Sequence, residues 1–317
     1  MPKQIVSIGD LVVDLVLDVN LPANIDEHQM SPTLLFEPGG AASTIFAARN
    51  MGLDVVALGT VGTDFQGQML IQMLIDAGVD TSALTLPPNS STTTVVALSD
   101  TTQNGHVFLG HYGEGDQVDM THTAAGKLLH ADAIFMPGYT AVEKRLQPLV
   151  QDTFELIDSH QLRFYFDVGP FFEQASDRLV AKILSLVDVL LLTEEEIPFV
   201  TGGHTGIHAL QSLLNAYPDM MIVLKMGSSG CRILQSDGEI RCAGYHVQVA
   251  DTIGAGDTFA GAFMWAHLNG LPLQECGTIA NAMGAASVQV AGAGRNVPTR
   301  HEVQAILNDN RVPIDLL

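Results

Sequence analysis

The run Asp251-Thr252-Ile253-Gly254-Ala255-Gly256-Asp257-Thr258-Phe259-Ala260-Gly261-Ala262-Phe263 holds the most chemically loaded spacing in the chain. Alternating residues over Tyr245–Val249 predict a strand ahead of it, and the small and apolar residues behind predict a helix. Gly254, Ala255 and Gly256 then fall at the helix start, where N–H groups lack helical partners and the dipole favours negative charge. Their small side chains let an anion approach the backbone closely. Asp257 stands in the first turn, where the helix terminus is expected to keep its carboxylate ionised. A carboxylate beside an anion site makes chemical sense if it takes up a proton. Phosphoryl transfer to an alcohol needs both parts: a base on the hydroxyl and donors on the migrating charge. A helix cap behind a tight glycine turn is the plainer reading of the same residues.

Other residues offer weaker chemistry. Asp14 interrupts the apolar run Leu11, Val12, Val13, Leu15, Val16. A carboxylate there needs a partner, which sugar hydroxyls would supply, or it is a solvated charge on an edge strand. Gly39-Gly40 lets backbone approach a ligand at the start of a helix, or makes a simple turn. Glu194, Glu195 and Glu196 follow a hydrophobic strand and suit a helix N-terminus. His204 and His208 have helix-face spacing for a metal, but Gly206 lies between them and no third ligand is near, so they read as a surface pair.

The elements that must hold these residues are readable from periodicity. Short Val/Ile/Leu-rich runs at Ile5–Ile8, Val55–Leu58, Ala133–Met136, Phe164–Asp167, Val187–Leu192 and Ile222–Lys225 predict strands. Amphipathic stretches at Ala41–Met51, Asp64–Ala77, Leu146–Ser159 and Asp177–Leu186 lie between them, and two small-residue-rich helices suited to close packing, Ala255–Asn269 and Leu273–Val290, follow. Continuous apolar strands alternating with helices imply βαβ units and a mainly parallel sheet covered on both faces. The expected fold is therefore three-layer α/β/α. Leu11–Phe36 and Ser90–Leu109 break the rhythm with two-faced, Thr- and Val-bearing segments. They are expected to form a small β lid from about residues 11–38 and 90–112, with edge strands of the main sheet as the alternative. No repeat, linker or boundary divides residues 1–317, so a single domain is expected.

Of the 317 residues, 47% are apolar, enough for a large core, and 14 basic against 35 acidic residues give a formal charge of −21. Such a chain repels phosphate backbones and anionic lipid, so neither nucleic acid nor membrane is an expected partner. Cys231, Cys242 and Cys276 are odd in number without CxxC spacing, as in a reduced, cytoplasmic protein. No apolar run reaches spanning length, and the N-terminus reads as a strand instead of a signal peptide. GxxxxGK[ST] and GxGxxG are both absent, which argues against P-loop kinases and NAD enzymes.

Asp251 to Phe263 resembles the C-terminal signature of the ribokinase-like (PfkB) carbohydrate kinases, and further pieces of that family pattern occur in order along nearly the whole chain. Gly9-Asp10-Leu11-Val12-Val13-Asp14 resembles its first strand, Gly39-Gly40-Ala41-Ala42-Ser43-Thr44 its sugar-site glycines, and Gly59 to Gly67 its GxVGxDxxG turn. Thr193-Glu194-Glu195-Glu196 resembles NxxE, and Lys225 to Gly230 the nucleotide-binding strand and turn. The resemblance implies ATP-dependent phosphorylation of a hydroxyl on a small sugar-like molecule, with Asp257 as base and Gly254 to Gly256 as the anion hole. It places Asp14, Gly39, Gly40 and Thr44 at the acceptor. Thr193, Lys225, Gly227, Gly230 and Asn281 fall at the nucleotide, Glu196 at Mg²⁺, and Asp251 at the anion-hole turn with a monovalent cation such as K⁺. A homodimer joined through the lid is a further expectation. Thr44 and Thr193 replace the usual Asn residues, and Asp167-Val168-Gly169-Pro170 keeps only the Asp of an Asp-Pro-Asn motif. The competing readings are a nucleoside or vitamin-alcohol kinase of the same fold, and a non-catalytic binding protein.

Overall fold

The computed structural model describes residues 2–24, 26, 28–100, 105–290 and 294–317. Its strands are β1 (Gln4–Asp18), β2 (Leu34–Gly40), β3 (Asp54–Thr60), β4 (Asp80–Thr85), β5 (Thr93–Asp100), β6 (Gly105–His111), β7 (Ala133–Pro137), β8 (Phe164–Asp167), β9 (Val189–Thr193), β10 (Met221–Lys225), β11 (Cys231–Gln235) and β12 (Gly238–Cys242). The main sheet runs β12-β11-β10-β9-β8-β7-β1-β3-β4. It is parallel except for the β10-β11-β12 edge.

Successive residues of the central strands face opposite layers, as the pleat requires. Ile5, Val55, Ala57 and Val223 enter one core with Phe259, Phe263, Ile279 and Val303 from helices Ala255–Leu268, Leu273–Ser287 and Arg300–Asp309. Val6, Ile8, Leu58 and Ile222 enter the other, against Leu128, Val150, Phe154 and Leu214 from helices His122–His130, Gln147–His160 and Ile207–Ala216. Both sheet faces are thus covered, which is why these strands read as unbroken apolar runs.

β1 belongs to two sheets. Gln4–Asp10 pairs in parallel with β3, whereas Leu11–Leu17 pairs with β2 and Val12–Asp18 with β5. β6 completes the second, smaller sheet through β5. The two-faced segment expected from Leu11 onward instead continues β1 through Asp18, because this half of the strand has its own neighbours, β2 and β5, on both sides. Asp64 fastens this lid sheet to the body. Its carboxylate caps helix Phe65–Asp76 by accepting from Gly67 N–H at 2.9 Å, and also accepts from Thr92 N–H at 2.8 Å.

The expected strand Tyr245–Val249 is absent. Tyr245 and Val247 pack onto the core, but the segment is not in a ladder. The hairpin β11-β12, which periodicity did not single out, already closes that sheet edge. At its exit Gly244 lies so near Ser228 that an added Cβ would stand 2.3 Å from the Ser228 carbonyl oxygen.

Candidate active site

Three parallel strands end side by side at Asp167 on β8, Thr193 on β9 and Lys225 on β10, with Thr193 and Lys225 in direct register. The carboxyl ends of parallel strands are where α/β folds place their ligands. The Lys225 ammonium donates to both Asp167 oxygens, at 2.7 and 2.8 Å. Burial pushes Lys225 toward neutrality, but Asp167, Glu196 and Asp257 outweigh it and hold its pKa above the ordinary value. Glu196, in the turn after β9, is 7% exposed and accepts from Thr193 N–H at 2.8 Å. Burial raises its pKa, opposed by Lys225 and reinforced by Asp167.

Helix Ala255–Leu268 begins above this group. Gly254 adopts φ 74°, the left-handed conformation glycine takes without strain. A Cβ on Gly256 would lie 3.4 Å from Lys225 Nζ, so the helix start and the buried ammonium are in contact. The helix bonds proper begin with Thr258 N–H to the Gly254 carbonyl at 2.9 Å. Ala255 differs from the open N–H expected: it reaches the Thr252 carbonyl at 3.4 Å within the turn. Asp251 shapes that turn by accepting from Ile253 N–H at 3.0 Å. Asp257 also departs from expectation. Burial, then the charge of Asp167, push its pKa up to about 7, with Lys225 opposing and Asp14 and Glu196 adding to the rise. Desolvation outweighs the helix dipole here. The outcome is a carboxyl group poised near neutrality, as a general base should be.

Asp14 faces this carboxyl from the lid. It lies opposite Glu37 in the β1-β2 ladder, and burial followed by the Glu37 charge raise its pKa to about 7. Its carboxylate rests on Gly39, where a Cβ would sit 2.3 Å from Asp14 Oδ1. Gly40 ends β2 at φ 59° and begins helix Ala41–Met51. Thr44 is buried in that helix, its carbonyl packed on Gly261 of helix Ala255–Leu268. The two helix starts are therefore held together by their own packing.

On the other side of Lys225, Gly227 and Gly230 turn at φ 53° and 91°. Asn281 donates to the carbonyls of Cys242 and Ala243 at 3.0 and 3.1 Å, fixing the strand that runs beside Gly230. Asp14, Gly39, Gly40, Glu196, Lys225, Gly256 and Asp257 thus converge through contact or charge. Gly227, Gly230 and the helix residue Asn281 adjoin them, while Thr44 packs on Gly261 of helix Ala255–Leu268 and Asp251 shapes the turn before that helix.

Sequence reasoning missed a second network at the point where β1 passes between sheets. Asp10 is 2% exposed, and Arg145 bonds it at 3.0 Å and Glu143 at 3.0 Å. Thr93, which opens β5, donates to the same Asp10 carboxylate and accepts from Gly113 N–H at 2.9 Å. Burial lifts the Asp10 pKa to about 6, against the pull of Thr93 and Arg145. Tyr139, too, was unsignalled. Nothing in the local patterns around Arg145 or Tyr139 marks them, since their partners lie far away in the chain.

An α/β sheet with a β lid, and a carboxyl group at a glycine-started helix facing another across the lid junction, define a phosphotransferase acting on an alcohol. Residues 2–300 match the pfkB family carbohydrate kinase profile, and the chain belongs to that family. Fructokinase-1 of Zea mays is 26% identical, over 96% of this chain and 97% of its own. A nucleoside kinase of Methanothermobacter thermautotrophicus is 24% identical over 83% of this chain and 82% of its own. The structure of Arabidopsis thaliana ribokinase complexed with ribose and ATP superposes with a TM-score of 0.81 at 20% identity, covering 97% and 99% of the two chains. The protein is an ATP-dependent kinase of small sugar-like molecules. Among the described residues, no helix is long and apolar enough to cross a membrane.

Proposed function

We propose that this kinase phosphorylates an uncharged sugar or polyol, with Asp14 holding the acceptor and Asp257 as the base. The observation that carries the reading is that Asp14 and Asp257 come from opposite sides of the junction between lid and body, close enough for the Asp14 charge to raise the Asp257 pKa. The acceptor oxygen forms a bond to the γ-phosphorus, the bond from that phosphorus to the ADP oxygen breaks, and the hydroxyl proton passes to Asp257. The N–H groups of the helix start after Ala255 meet the charge on the moving group. The acceptor's neutrality follows from the surrounding charges. Asp10, Asp14, Glu37, Asp167, Glu196 and Asp257 crowd this region, and the two cations among them, Arg145 and Lys225, are already paired. A phosphate or carboxylate on the acceptor would enter a field of its own sign.

Thr193, Lys225, Gly227, Gly230 and Asn281 are assigned to the nucleotide side. Glu196 is the residue to hold Mg²⁺: no cluster of three or more metal-ligating residues occurs among the described residues, and magnesium characteristically takes one or two carboxylates together with phosphate oxygens. Bound there, the ion would neutralise phosphate charge. Asp251 is the residue to examine for a monovalent-cation requirement, by comparing rates in K⁺ and in a bulky organic cation.

The lid carries a second proposal, a homodimer. Its edge strand β6 exposes Val107, Phe108 and Leu109, with Tyr112 just beyond. An edge that is apolar and, among the described residues, unpaired invites another chain. Sedimentation should give twice the monomer mass, and Phe108→Lys should halve it; a monomer in both cases contradicts the proposal.

The test of function is ADP release with ATP and Mg²⁺ over D-fructose, D-ribose, inosine and sugar phosphates. Turnover with a neutral sugar and none with its phosphate is expected. Preference for inosine would move the assignment to nucleosides, and preference for a sugar phosphate would overturn the charge argument.

A further inference from the structure

Tyr139 lies in a five-residue helix, Gly138–Val142, that follows β7. Both of its neighbours are fixed. Gly138 backs onto the chain after β8 so closely that a Cβ would stand 1.8 Å from the Val168 carbonyl oxygen, and Thr140 donates to the Ile8 carbonyl at 3.3 Å. The ring is thereby directed at the junction of β1 and β2. Its Oη lies 3.0 Å from where a Cβ of Gly40 would be, and 4.0 Å from that of Gly9. This oxygen is buried and has no hydrogen-bond partner among the described residues. Buried hydroxyls are rarely left so, because the lost solvation is not repaid.

The surroundings say what kind of partner fits. Burial first, then the charges of Asp257, Asp10, Asp14 and Asp167, keep the phenol protonated, so it is available as a donor. Asp14 rests on Gly39 and the Tyr139 oxygen on Gly40, so one peptide without side chains separates a hydrogen-bond acceptor from a donor. A hydroxyl lying over that peptide satisfies both, donating to Asp14 and accepting from Tyr139. A ketone or ether oxygen satisfies only Tyr139, and an anion meets the carboxylates.

We propose that Tyr139 is an acceptor-contacting residue whose phenol donates a hydrogen bond to a hydroxyl of the bound sugar, the same hydroxyl that Asp14 holds. This rests on the acceptor site assigned above. The specificity that follows is for a free hydroxyl at that position: the deoxy and O-methyl analogues of the preferred sugar each lose one or both contacts.

Tyr139→Phe removes the oxygen and nothing else. The melting temperature of the ligand-free variant should be unchanged or higher, since an unpartnered polar atom is deleted, and ATP affinity should be unchanged. KM for the best sugar of the panel should rise on the order of tenfold, the worth of one hydrogen bond, with kcat little altered. A lower melting temperature, or an unchanged KM, overturns the proposal. Calorimetry of D-fructose, D-ribose and inosine with Asp257→Asn, and with Asp257→Asn/Tyr139→Phe, reads the contact without turnover. Weaker binding by the double variant, even where the wild type turns nothing over, supports the contact and faults only the reaction. Equal binding by both, or binding by neither, overturns it.

Discussion

Asp14 owes its place to Gly39 and its protonation to burial and a neighbouring carboxylate. Gly39 leaves room for its oxygens, and Glu37 across the ladder raises its pKa on top of burial. Asp14→Ala should raise the acceptor KM by roughly 10- to 100-fold, the loss of charge-assisted hydrogen bonds of about 1.5–3 kcal/mol. Nucleotide affinity should hold, because the residues assigned to ATP come from β9 onward; calorimetry with ATP and a sugar titration check both halves. Loss of ATP binding with the acceptor KM intact would reverse the assignment. The GAGD run and Gly39-Gly40 were legible because each is a local exception, glycines at a helix start beside a carboxylate. Lys225 was legible only as a position. Its salt bridge to Asp167 and contact with Gly256 join segments distant in the chain, and no local pattern encodes them. The protonation of Asp257 was misjudged for the same reason. Its helix start was visible, but the buried carboxylates around it were not.

Helices Ala41–Met51 and Ala255–Leu268 cross at Gly261, where backbone meets backbone. A Cβ on Gly261 would lie 2.7 Å from the Ala47 Cβ, 2.8 Å from the Ala48 nitrogen and 2.8 Å from the Thr44 oxygen. Little there can yield, so Gly261→Ala should cost about 1–3 kcal/mol as overpacking, measured by chemical denaturation. It should also slow turnover, since pushing the helices apart moves Gly40 and Asp257 relative to one another. Stability and rate both unchanged would mean that this crossing does not position the site. The small-residue character of Ala255–Asn269 signalled close packing, and the strands buried on both faces announced themselves as apolar runs. Tyr245–Val249 shows the limit: alternation identifies a segment fit for a strand, while a ladder also needs a strand alongside, and the sheet edge here is β12. β1 shows the converse: its second half, interrupted by Asp14 and Asp18, is a strand because β2 and β5 flank it.

For the molecule as a whole, the acidic site makes stability depend on pH in an unusual direction. Asp14 and Asp257 titrate at about 7 and Asp10 at about 6 when folded, against 3.8 ordinarily. Between about pH 4 and 7 the folded state therefore binds more protons than the unfolded one, and stability falls as pH rises through that window. The ligand-free protein should melt higher at pH 5.5 than at pH 7.5. His267, held neutral by burial, opposes this below about 6.5, but stands alone against Asp10, Asp14 and Asp257, to which Asp188 and Glu196, also raised by burial, add. Asp64, Asp80 and Asp132 have lowered pKa values, so their contributions are lost only below about pH 4. A melting temperature that rises steadily from pH 5.5 to 7.5 would contradict the buried-carboxylate picture. Activity should run the other way, increasing as Asp257 loses its proton near pH 7.

In the proposed reaction Asp257 takes the proton from the acceptor hydroxyl. Asp257→Asn keeps the size of the side chain and its place at the helix start but removes the base. The measurement is single-turnover phosphorylation of the best sugar at saturating ATP and Mg²⁺, beside calorimetric ATP binding on the same preparation. The rate should fall by about 10² to 10⁴ with ATP affinity retained. Phosphorylation near the wild-type rate would contradict it and leave Asp257 a helix-terminal carboxylate with no part in the chemistry.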